Sequence, residues 1–261
     1  MLAIGAGNHF SCAVTATPTP MLWAVDVRRE LVPACWELLS PSEQLRASNY
    51  IIDADRRTFI VTRAALRLAL ASVTGSDPVK FRFEYGRWGK PFVSEPTSSI
   101  PLHFSVSHSG WLSIIAVANG ARVGIDVEKR RYVPEMLAIA KSCLGDGVAV
   151  LLARLKNDAR DAAFLRFWTA AEAFAKASGL GWEGHGGRIS LYASSPNGSD
   201  VTFAGYPTSS PRFEWSTRQL DAGPNHIGTL VFECAADEFV ANRILKPSNL
   251  NVSLKEHWHV A

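Results

Sequence analysis

The chain has 261 residues, 47% hydrophobic and 20% charged, with a net charge of +3 and a pI near 8.7. This is ordinary for a globular protein with a sizeable core, in one large domain or two small ones. The charge is too slight for a nucleic-acid binder, no apolar run reaches the ~18 residues of a membrane span, and four scattered cysteines without C-x-x-C argue against a zinc site or disulfide framework.

Residues 1–20 read as a loose leader. They are faintly signal-like, but they lack a charged first region and are interrupted by Asn8, His9 and Ser11. Leu22 to Val27 is predicted as a strand. Ser40 is placed to cap a helix, with Glu43 three residues on completing a capping box. Arg56 to Ser72 reads as a long amphipathic helix ending near Gly75. Phe81 to Tyr85 alternates as a strand, and residues 86–101, rich in Gly, Pro and Ser, read as loop. Trp111 to Ala118 and Arg122 to Glu128 are predicted as two strands joined in a hairpin at Asn119-Gly120. Tyr132 to Ala140 and Gly147 to Arg154 read as helical, and Asp158 to Ser178 as a long helix ended by Gly179 and Gly181. From Trp182 to about Glu233, strand-like pieces alternate with Gly/Ser/Pro loops, and residues 246–261 read as a tail.

The chain carries an internal echo. TRAALRLALASVTG at 62–75 and TAAEAFAKASGLG at 169–181 are both Ala-rich helices ending in glycine, each followed by strand-like sequence. The fold expected is α+β, with two similar α/β halves at 21–120 and 121–245 joined near Ala118 to Arg122.

Two short motifs carry the chemistry. In VGIDVE, period two sends Asp126 and Glu128 to one strand face, with Ile125 and Val127 on the other. In FWTAAEAFAK, helical spacing places Glu172 and Lys176, four apart, on one face. A D-x-E on a strand is more often a solvated face, and a Glu/Lys pair is more often a surface pair worth ~0.3–0.5 kcal/mol. Together, three carboxylates can make an oxygen-only site for Mg²⁺, with a lysine one turn on to meet bound phosphates.

The order of these motifs resembles the surfactin-type 4′-phosphopantetheinyl transferases, whose signatures read roughly (V/I)-G-(I/V)-D-(I/V)-E and (F/W)-(S/T/C)-x-K-E-(A/S)-x-x-K. Tyr85-Gly86-Arg87-Trp88-Gly89-Lys90-Pro91 resembles the family's G-K-P segment, and His103-Phe104-Ser105-Val106-Ser107-His108-Ser109 its N-F-N-x-S-H-S segment. Leu39 to Glu43, and Arg57-Thr58-Phe59-Ile60 with Arg63 and Arg67, fit the looser start of the pattern. The resemblance runs from about Trp23 to Gly181. It departs at Ala171, where the family has lysine, and at His103 and Ser105, where it has asparagine.

The resemblance implies a pseudo-duplicated fold with the active site between the halves. It implies transfer of 4′-phosphopantetheine from coenzyme A to a serine of an apo carrier protein, with Mg²⁺ held by Asp126, Glu128 and Glu172. Glu172 would also be the general base, and Lys176 would contact the pyrophosphate. Lys90, Ser107 and His108 would serve the 3′-phosphate, with Arg63 a further phosphate contact. A cytoplasmic monomer without membrane or nucleic-acid partners is the expected setting. Lys129-Arg130-Arg131, a solvated run in the ordinary reading, could meet an acidic carrier. The alternatives are a coenzyme A or carrier-binding homologue that transfers little because Ala171 replaces lysine, and a Mg²⁺-dependent hydrolase of nucleotide pyrophosphates. His257-Trp258-His259 reads as tail, and Gly184-His185-Gly186-Gly187 as a loop without the lysine a phosphate cradle needs.

Overall fold

The structure, a computed structural model, describes residues 19–193, 201–203 and 206–235. Most of the leader at 1–20, and all of the tail with its His257-Trp258-His259, lie outside these residues. In chain order the elements are β1 (Met21–Asp26), α1 (Val32–Glu37), α2 (Pro41–Ser48), α3 (Asp53–Thr74), β2 (Arg82–Tyr85), β3 (Pro91–Glu95), β4 (Leu102–Ser109), β5 (Leu112–Asn119) and β6 (Val123–Lys129). There follow α4 (Met136–Ile139) running into a π-helical turn at Ala140–Leu144, α5 (Asp146–Ala153), α6 (Asn157–Ser178), the single turn α7 (Gly181–Gly184), β7 (Tyr192–Ala193), β8 (Val201–Thr202), β9 (Phe213–Leu220) and β10 (His226–Ala235).

Two antiparallel three-stranded sheets form the centre, ordered β1-β5-β4 and β6-β10-β9. Period two along β5 divides its side chains. Ile115 and Val117 join the core under α3, while Leu112, Ile114, Ala116 and Ala118 face Val123, Ile125, Val127, Leu230 and Phe232 of the other sheet. The second sheet's far face packs on α6 through Ile227, Val231 and Trp215. The layers therefore run α3, sheet, sheet, α6.

The halves are alike in detail. Helices α3 and α6 each have 22 residues and each end on a left-handed glycine, Gly75 at φ 71° and Gly179 at φ 76°. The two threonines that open the sequence echo make matching contacts with the central strand of their own sheet. Thr62 Oγ1 meets Ser113 Oγ at 2.7 Å, and Thr169 Oγ1 meets Thr229 Oγ1 at 2.8 Å, all buried. Gly124 lets α6 lie directly on β6: a Cβ there would stand 1.9 Å from the Ala173 carbonyl oxygen.

The capping box forms as the sequence predicts: Ser40 N–H donates to Glu43 Oε2 at 2.8 Å, and Glu43 N–H to Ser40 Oγ at 3.4 Å. Two predictions fail. Strands β5 and β6 do not form a hairpin at Asn119-Gly120. Both edges of β5 are already paired, with β1 and β4, so the chain crosses to the other sheet, where β6 pairs with β10. Residues 86–101 are also not all loop. Pro91–Glu95 pairs with β2, and its proline stands first in an edge strand, where no N–H is needed.

Candidate active site

The site is built where the two sheets meet along β4 and β6. Ser105, Ser107 and Ser109 alternate along β4, and their hydroxyls accept the β6 N–H groups of Ile125 (3.1 Å), Val127 (3.2 Å) and Lys129 (2.9 Å). The same hydroxyls point two of the predicted carboxylates. Ser107 Oγ donates to Asp126 Oδ1 at 2.7 Å, and Ser109 Oγ to Glu128 Oε2 at 3.0 Å. Ser107 thus touches Asp126, where the resemblance had placed it at the 3′-phosphate.

Helix α6 supplies the rest. Lys176 Nζ reaches Asp126 Oδ1 at 2.7 Å. Glu172 Oε1 accepts the indole N–H of Trp182 at 2.7 Å. Glu128 Oε2 also takes Arg131 Nη1 at 2.7 Å. Each carboxylate therefore already has a partner on a different residue. Among the described residues, no group of three or more His, Cys, Asp or Glu side chains is gathered closely enough to hold a metal.

Two observations nevertheless fit a divalent cation. Asp126 is buried, and its Oδ2 has no hydrogen-bond partner. Burial raises the Asp126 carboxyl above the ordinary aspartate range against the pull of Lys176 and Ser107. It raises Glu172 too, against the Trp182 bond, and the charges of Asp126 and Glu128 push Glu172 the same way. An acidic pocket whose charges oppose one another, with an orphaned oxygen, is one that a cation would relieve.

Two cavities flank the site and share Pro91, Phe104 and Val106 as a common wall. One, of about 280 Å³, is lined by Trp88, Lys90, Glu172, Lys176 and Trp182. The other, of about 850 Å³, is lined by Tyr50, Phe59, Arg46, Arg63 and His108. The predicted phosphate residues thus divide between two adjoining spaces. Arg63 Nε stands 3.5 Å from Glu43, while its Nη1 is buried without a partner. His108 is exposed on the rim of the larger cavity. Lys90 turns inward: its Nζ donates to the carbonyls of Val123 (3.2 Å) and Ala177 (3.3 Å), and burial lowers its pKa to about 8. It ties the β2–β3 turn to β6 and α6. Arg67 is structural, only 1% exposed and bonded to Glu43 and to the carbonyls of Pro78 and Phe81.

Ala171 is fully buried in the C-terminal core. It lines neither of the two cavities.

Three residues of this site, Ser105, Ser109 and Trp182, have no role assigned from the sequence. Ser109 and Ser105 were legible as an alternation, S-x-S-x-S, on the strand opposite VGIDVE. Trp182 follows the helix-ending glycines with no pattern that announces it.

Residues 122–226 match the ACPS family, described as the 4′-phosphopantetheinyl transferase superfamily, and residues 27–120 match a family described as 4′-phosphopantetheinyl transferase, N-terminal. A Synechocystis sp. protein named as a 4′-phosphopantetheinyl transferase is 33% identical over 167 residues, covering 64% of this chain and 68% of its own. The 4′-phosphopantetheinyl transferase HetI of Nostoc sp. is 33% identical over 143 residues, covering 55% and 60%. The L-aminoadipate-semialdehyde dehydrogenase-phosphopantetheinyl transferase of Rattus norvegicus is 25% identical over 180 residues, covering 66% and 55%. The aligned region thus spans about half to two thirds of these relatives' length.

Proposed function

Because the chain belongs to the 4′-phosphopantetheinyl transferase superfamily, we propose that it moves 4′-phosphopantetheine from coenzyme A to a serine of an apo carrier protein. The observation that carries this reading is the convergence of buried Asp126, with its unpartnered Oδ2, on Lys176 and the raised carboxyl of Glu172, beside two adjoining cavities.

The carrier serine oxygen attacks the β-phosphorus of the pyrophosphate. The bond from that phosphorus to the bridging oxygen breaks, and adenosine 3′,5′-bisphosphate leaves. Positioning and charge neutralisation do most of the work in such transfers. Glu172 takes the serine proton at the carboxylate oxygen that Trp182 does not engage, and its raised pKa suits that role. Lys176 exchanges Asp126 for the pyrophosphate. Asp126, Glu128 and Glu172 would hold Mg²⁺, which supplies charge neutralisation on the pyrophosphate when bound. Arg63, with its free Nη1, and His108 on the cavity rim offer donors to the 3′-phosphate. Lys90 can join them only by giving up its two carbonyls. Lys129-Arg130-Arg131, following Glu128, faces an acidic carrier.

The test is incubation with coenzyme A, Mg²⁺ and an apo carrier protein, read by mass spectrometry. Transfer adds phosphopantetheine to the carrier. A binding-only homologue adds nothing, and a hydrolase consumes coenzyme A without the carrier. Asp126→Ala is expected to abolish transfer while keeping the wild-type circular dichroism spectrum. Full activity of that variant at limiting Mg²⁺ would sink the assignment.

A further inference from the structure

Glu172 has a flexible side chain and, on its own helix, only Lys176 as a polar neighbour one turn on. Its hydrogen-bond donor comes from outside that helix. Trp182 sits on α7, just past the glycines that end α6, and gives its indole N–H to Glu172 Oε1 at 2.7 Å. A length of 2.7 Å lies at the short end of the N–H···O range.

The donor is held firmly. The Trp182 ring stacks on Trp168 (5.4 Å between centroids, 22° between planes), and Trp168 stacks on Phe164 (6.1 Å, 20°), its neighbour one turn back along α6. The backbone around it is pinned twice. Gly187 N–H donates to the Trp182 carbonyl at 2.8 Å, and Ser178 Oγ meets His185 Nε2 at 2.9 Å. Gly184, two residues on, packs closely: a Cβ there would stand 2.7 Å from Leu180 Cβ.

The chemistry of the donor is also informative. Asp126 and Glu128 are paired with cations, Lys176 and Arg131, which partly cancel their charge. An indole N–H is donor-only and neutral. It can fix a carboxylate oxygen without cancelling the carboxylate's charge or taking a proton from it. It engages one oxygen and leaves the second for a cation or the serine proton.

We propose that Trp182 is the positioning residue of Glu172, its stacked indole setting the carboxylate's orientation on the wall of the cavity that both line with Lys90 and Lys176. This rests on the transferase reading of the site. Outer partners of this kind typically change metal affinity or activity about 10–100-fold when removed.

Trp182→Phe keeps a ring to stack on Trp168 and deletes only the N–H. It is expected to lower kcat about 10-fold with a smaller change in KM for coenzyme A, and to weaken Mn²⁺ binding to the protein–coenzyme A complex, followed by the electron paramagnetic resonance of free Mn²⁺, by a similar factor. In a Glu172→Gln background the same substitution should cost nothing further, because it acts through Glu172. Trp182→His, which restores a ring N–H, should recover part of both losses. A Trp182→Phe protein equal to wild type in kcat and Mn²⁺ affinity overturns the proposal. So does a loss that adds fully to that of Glu172→Gln, or a histidine variant no better than phenylalanine. A wild type that transfers nothing counts against the transferase reading instead, and the Mn²⁺ affinities still decide the Trp182–Glu172 coupling.

Discussion

At the scale of single residues, burial decides roles that sequence position left open. Ala171 stands where the family motif has lysine. Ala171 is fully buried beside Phe167 and Phe174, so the lysine would overpack the core and bury a charge. Ala171→Lys is therefore expected to cost about 3 kcal/mol, measured by denaturant unfolding, with no gain in turnover. His103 is a second case. Burial, reinforced by the charges of Lys90 and Arg122 and opposed only by Glu233, lowers its pKa from 6.5 to about 4. Between those values the unfolded chain binds a proton at His103 that the folded chain does not. This contribution to stability is complete above pH 6.5 and is lost as pH falls toward 4. His103→Asn, the family's residue, should flatten that limb by no more than about 3 kcal/mol in urea titrations between pH 7 and 4. An unchanged slope would mean that His103 is not held neutral.

At the scale of elements, the motif helix is placed by close approach more than by its amphipathic face. Ala173 and Ala177 bring the α6 backbone so near β6 that Gly124 has no room for a methyl group: its Cβ would lie 1.9 Å from one backbone atom and 2.4 Å from another. Gly124→Ala should therefore push α6 away from Asp126, costing more than about 3 kcal/mol of stability. It should lose transfer activity even where the protein still folds. Melting temperature and the mass-spectrometric assay check the two effects separately. The glycine was readable in the VGIDVE motif, and so were the alternation that separates Asp126 from Ile125 and the spacing that groups Glu172 with Lys176. The capping box of α2 and the glycine caps of α3 and α6 were equally legible, because caps are local. Pairing was not. A hairpin signal at Asn119-Gly120 names a turn, but which strand occupies the next edge depends on β1 and β4, far away in sequence.

At the scale of the whole molecule, two like halves have diverged in what they carry. Aligned from Thr62 and Thr169, Ala65 stands where the second half has Glu172, and Ala69 where it has Lys176. The first half keeps the helix and its hydroxyl tie to the sheet, and contributes strand β4 in place of acidic groups. The junction between halves is a seam of three serine hydroxyls, so Ser105→Ala should leave the buried Ile125 N–H unpaired and cost about 1–3 kcal/mol. Urea unfolding reads that cost, and no loss would mean that the seam does not bind the halves. By itself the sequence determined the helices and most of the strands, the echo between halves, and the residue types of an acidic site that resembles a transferase's. These rest on periodicity, capping and motif order, all carried by neighbours in the chain. Only the tertiary structure decided that Ser107 and Ser109 orient Asp126 and Glu128, that Lys90 turns to two carbonyls, and that Trp182 holds Glu172. Each of these is a hydrogen bond between side chain and partner brought together by packing. An unpaired polar group in the interior takes the nearest partner the fold provides, and that choice is written in no local pattern.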